Sequence, residues 1–117
     1  MNQRRTFDLE ERTTKFAKEI IRLCKSVPRD PINDRVTGQL AGCSGSVGAN
    51  YREANDALGK KDFIFRMKIS RKEEKETIHW LEIFDEANPD LHEKTLGCLR
   101  EAQELKNIMS AIISKTA

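Results

Sequence analysis

Three short breaks divide the chain, at Pro28–Pro31, Ala57–Lys61 and Asn88–Asp90. Between them lie four segments of similar length in which apolar residues return every three or four positions, the period of a helix face. Breaks this short join antiparallel neighbours, so the spacing predicts an all-α fold, an antiparallel up-down-up-down four-helix bundle with helices over about 8–27, 31–56, 62–87 and 90–115. At 117 residues, the whole chain 1–117 makes one domain around one core.

Charged residues make up 34% of the chain and aromatics only 6%, which suits helices better than a β-sandwich. The longest uncharged run, Val36 to Tyr51, is broken up by glycines and polar groups and is no membrane span. The opening residues, MNQRRTFDLEER, lack the apolar centre of a secretory signal. Cys24, Cys43 and Cys98 are odd in number and fit no metal spacing, so they read as reduced core thiols of a cytoplasmic protein. Net charge is only +2 but segregated: residues 1–30 carry 8 Lys/Arg against 5 Asp/Glu, residues 59–76 carry 7 against 4, and residues 77–117 reverse this with 4 against 7.

Asp8 is placed to cap the first helix, with Glu11 completing a box. Leu9, Phe16, Ile20, Leu23 and Val27 share its apolar face, while Lys15, Lys18, Arg22, Lys25 and Arg29 share the opposite one, with Glu19 off its centre. A stripe of one sign is either a solvated face or a surface for phosphates. Asp30 caps the second helix ahead of Pro31, and Ile32, Val36, Leu40, Cys43 and Val47 follow as its apolar side. Gly38, Gly42, Gly45 and Ala49 form a second, small-residue stripe. It predicts close approach to a neighbouring helix or, alternatively, a bend around Gly42–Gly48. The polar cluster Asn50, Arg52, Glu53 and Asn55 reads as a buried network or, alternatively, as an exposed site, with the network preferred in a small helical domain.

Gly59 ends that region, and Asp62 is the expected cap of the third helix. One face of this helix carries Phe63, Met67, Ser70, Thr77, Ile78 and Leu81; a second carries Phe65, Ile69, Trp80 and Ile83; the rest carries Lys61, Lys68, Arg71, Lys72 and Lys75. Two apolar faces on one helix predict an oligomer interface. Glu74 falls on the main apolar face, where a charge needs a partner such as Arg52 or Lys68. Asp90 and Glu93 are placed to cap the fourth helix, and Leu91, Thr95, Cys98, Ala102, Leu105, Met109 and Ile112 form a heptad-like seam. His79 and His92 have no partners at ligand spacing, so neither metal nor cofactor is expected.

Gly45-Ser-Val-Gly-Ala-Asn-Tyr-Arg-Glu-Ala-Asn55, Lys61-Asp-Phe63, Arg71-Lys-Glu-Glu-Lys-Glu-Thr77 and Trp80-Leu-Glu82 together resemble a bacterial four-helix-bundle family. That family is named for proteins encoded in intervening sequences of 23S ribosomal RNA genes, and the likeness runs from Phe7 to Ile113. Gly42 and Gly45 stand where bulkier or hydroxylated residues are common. The resemblance implies an up-down bundle assembling as a barrel-like homopentamer, with no catalytic residue to carry over. It also implies a distant relation to the accessory variability protein of diversity-generating retroelements, which is basic and works with RNA.

Two functional readings follow. In one, the lysine-rich faces contact structured RNA or DNA, and self-association multiplies weak phosphate contacts. In the other, the faces are merely solvated and the assembly holds a protein partner. No nucleophile–base pair, phosphate loop or metal cluster points to an enzyme.

Overall fold

The computed structural model describes residues 2–117, with side chains from Leu9 onward. It contains α1 (Asn2–Lys25), α2 (Pro31–Asn55), α3 (Lys60–Ala87) and α4 (His92–Thr116), with a 3-10 turn over Pro89–Leu91 before the last helix. α1 packs on α2 and α4, and α3 packs on α2 and α4, whereas the backbones of α1 and α3 stay apart, with no Cα pair within 8 Å among the described residues. The two therefore occupy opposite corners of an up-down bundle measuring 45 × 24 × 19 Å.

The predicted apolar faces form the interior. Phe16, Ile20, Leu40, Val47, Met67, Leu81, Leu105 and Met109 are all buried, joined by Phe84, which neither expected face of α3 includes. Each such side chain removed from water contributes on the order of 1.5–3 kcal/mol. Val27, Phe63, Ile78 and Leu91 pack against this interior half-buried, and two further positions also differ. Ile32 is 66% exposed, because it sits in the first turn of α2 beyond the end of α1. The α4 seam closes on Ile113, with Ile112 only half-buried.

Helix ends follow sequence where a side chain can reach a free N–H. Asp30 accepts from the Asn33 amide at 2.7 Å, and Pro31 stands at the first helical position. Three expected caps are not caps. α1 starts at Asn2, upstream of Asp8, because neither Pro nor Gly interrupts residues 2–8. α3 starts after Gly59 without a side-chain cap, so Asp62 lies in its first turn, 3.7 Å from Arg66. Asp90 falls inside the 3-10 turn, and α4 begins without a capping side chain. Asn88 does more than stop α3: buried, it donates to Asn33 Oδ1 at 2.9 Å and ties the end of α3 to the start of α2.

α2 runs uninterrupted through Gly42–Gly48, so the helix is not broken there. The small-residue stripe is not a close packing surface either. A Cβ added at Gly38, Gly42 or Gly45 would meet nothing within 4 Å, since this stripe faces outward. The glycine that permits close approach is Gly48, where a Cβ would come 3.0 Å from Thr13 Oγ1 of α1.

Candidate functional site

Burying Leu9, Thr13, Phe16, Ile20 and Leu23 turns the opposite side of α1 outward. Lys15, Lys18, Arg22 and Lys25 are all exposed there, and among the described residues none is paired with a carboxylate. Arg29, beyond the helix, is held by Asp34 at 2.9 Å, which takes it out of the set of unengaged cations. A shallow groove between α1 and α4 joins Arg22 to Lys94, with Glu19, Ser26 and Gly97 around them. Lys94 was not singled out from sequence because it adds to this face only once α4 lies beside α1.

The second basic set lies along α3. Lys61, Lys68, Lys72 and Lys75 are exposed, while Arg71 is half-buried and donates to Ser110 of α4 at 3.3 Å. His79 and Glu76 share a surface groove with Lys68, Arg71, Lys72 and Lys75, so this set is less purely cationic than that of α1. Because α1 and α3 are diagonal, one copy of the chain presents its two basic surfaces on opposite sides.

The second apolar face of α3 is graded. Phe65 is 57% exposed with Arg66 over its ring, at 5.8 Å from the centroid. Ile69, Trp80 and Ile83 are half-buried, and the last two lean on the core.

The polar cluster of α2 is not a buried network. Arg52, Glu53 and Asn55 are exposed and Asn50 is half-buried. Arg52 and Asn55 both donate to the carboxylate of Glu10, at 3.0 and 2.7 Å, and so clip α2 to α1. Asn50 donates to the carbonyl of Ser46 in its own helix at 2.9 Å. With Arg52 committed to Glu10 and Lys68 on the surface, neither partners Glu74. Glu74 is wholly buried, and neither of its carboxyl oxygens has a hydrogen-bond partner among the described residues. Burial first, and the nearby Glu101 second, push this acid up to about 8.

Cys43 and Cys98 are buried and Cys24 half-buried, all three as free thiols. Burial pushes Cys24 and Cys98 up to about 11, the reverse of what a nucleophilic thiol requires. Among the described residues no group of three His, Cys, Asp or Glu side chains is placed to hold a metal ion, and no helix is long and apolar enough to cross a membrane.

A family profile described as 23S rRNA-intervening sequence protein matches residues 5–111. A crystal structure from Bacteroides thetaiotaomicron, described as a protein of unknown function from the S23 ribosomal protein family, superposes with a TM-score of 0.81. It is 26% identical, and the match covers 93% of this chain and 97% of that one. No curated protein matches the chain.

Proposed function

The chain belongs to the 23S rRNA-intervening sequence protein family, and from that premise we propose that it is a non-enzymatic, self-associating bundle that binds structured RNA or DNA through the outer face of α1. The observation carrying this reading is the state of Lys15, Lys18, Arg22 and Lys25: exposed, on one face, and unpaired among the described residues. Cations held by neighbouring acids have already spent much of their field locally, whereas unpaired ones can exchange counterions for phosphates. Among the described residues the face offers no exposed aromatic for stacking on bases, so recognition here is of backbone and shape.

Self-association uses the Phe65 side of α3, the diagonal corner, and leaves α1 open. Repeating the α1 face in a ring of copies then raises avidity without any new kind of contact. The same exposed phenylalanine also favours a second reading, in which that surface takes up a protein partner and no nucleic acid is bound.

The test is titration of the purified chain against a hairpin RNA and a duplex DNA at low and near-physiological salt. Affinity should fall steeply with salt. The variant Lys15→Glu, Lys18→Glu, Arg22→Glu should lose binding while its helical circular dichroism stays intact. Unchanged binding by that variant removes α1 as the surface; no binding at low salt leaves the protein-partner reading.

A further inference from the structure

Glu74 lies on α3 between Ser70 and Thr77, and all three side chains are fully buried. The Ser70 hydroxyl donates to the Val47 carbonyl of α2 at 2.7 Å and also lies 3.6 Å from Met109 Sδ of α4, so this line of residues runs along the interior. One turn further on, nothing does for Glu74 what Val47 does for Ser70.

The surrounding helices show why. α4 contributes Glu101, a like charge that disfavours ionisation of Glu74. α1 contributes Arg12, but its guanidinium is committed to Glu101 at 2.7 and 2.9 Å and to Glu104 at 3.2 Å. On α2, buried Cys43 is itself pushed up by burial, and the Ser44 hydroxyl turns to the carbonyl of Ala41 in its own helix at 3.5 Å. Within α3, Arg71 is turned to Ser110, Lys75 is on the surface, and Glu73 and Glu76 are acids. No described cation is placed to neutralise a carboxylate at this point.

We propose that Glu74 is a proton-controlled latch: neutral, it packs as an interior side chain and the bundle closes; ionised, it loosens the packing of α3 on α4. An ionised carboxylate in this apolar interior would lack both water and a counter-charge, and structure gives way before such a group is tolerated. The proton leaves to solvent when the interior opens, and returns when it closes. Glu101, the like charge that Glu74 feels, is itself held by Arg12, so that pair satisfies itself and not Glu74.

The sign follows from proton counting. The folded chain keeps its proton up to about 8, whereas a solvated glutamate loses it near 4.5, so the folded state binds the extra proton between those values. Stability contributed by this group is complete at acid pH and disappears as pH rises through about 8. Between pH 6 and 9 the folding equilibrium constant should drop on the order of 100-fold from Glu74 alone.

Urea unfolding of the full chain at fixed concentration, followed by helical circular dichroism and Trp80 fluorescence across that range, measures it. Glu74→Gln should remove most of the slope, and Glu74→Met should remove it while raising stability at pH 9. Parallel pH profiles for the native chain and Glu74→Gln overturn the proposal. A carbon-13 titration of the native chain gives an independent answer even if a variant fails to fold. The Glu74 carboxyl should remain in its neutral-acid position at pH 7, and titration in the ordinary carboxylate range overturns the latch.

Discussion

α1 and α3 bring similar inner faces to the core and very different outer ones. α1 buries Phe16 and Ile20 and turns outward a face of cations that are unpaired among the described residues. α3 buries Met67, Leu81 and Phe84 but divides its exterior between a graded apolar stripe and a lysine set interrupted by Glu76 and His79. A helix needs only about a third of its circumference to hold a bundle together. What occupies the remainder is free to differ, so differences in what these two helices can bind belong to the outside, while stability, with Glu74 as its pH-dependent part, belongs to the inside.

Substitutions can break that division at several energies. Phe16→Ala and Phe84→Ala should each lower stability by about 3–5 kcal/mol in urea titrations, because both side chains are at most 1% exposed. A small cost for only one of them would show that the two inner faces are not equivalent. Next come the charges. Neutralising Lys15, Lys18 and Arg22 to Gln, which weakens binding without adding repulsion, should flatten the dependence of log affinity on log salt by about three, whereas neutralising Lys68, Lys72 and Lys75 should change it by less than about one. Equal losses would make the diagonal corners equal partners in binding.

Smaller effects separate two glycines of one helix. Gly42→Ala should raise stability by up to about 1 kcal/mol, since its Cβ meets nothing, while Gly48→Ala should lower it because Thr13 Oγ1 stands 3.0 Å away. Phe65→Ser should shift folding stability by only about 0.5 kcal/mol or less, yet reduce the sedimentation coefficient if α3 carries self-association.

Periodicity made the four helices and most of the core legible, because burial on one side of a helix leaves its trace every three to four residues. The Asp30–Pro31 start was legible for a local reason: the preceding Pro28 and Arg29 offer the helix no upstream extension, and a carboxylate reaches the free Asn33 amide. Asp8 and Asp62 resemble caps just as well in sequence, but at neither is there anything to stop the helix from starting earlier. What depends on the meeting of distant elements did not show. The diagonal placement of α1 and α3, the addition of Lys94 to the α1 side, and the capture of Arg52 by Glu10 all require the helices to be assembled. Glu74 was visible as an anomaly on an apolar face. Its lack of a partner was not, because Arg52 and Lys68 could be assigned to it only while their own positions were unknown.

The outward glycines of α2 carry a consequence for motion. Gly38, Gly42 and Gly45 each give up about 1 kcal/mol of helix preference relative to alanine, and open space at all three means that no packed neighbour compensates locally. Their backbone also has no side chain to shield its hydrogen bonds from water. The middle of α2 should therefore breathe more readily than the matched stretch of α4, and its outward amides should exchange with deuterated solvent sooner, although both helices are continuous and anchored by the same core.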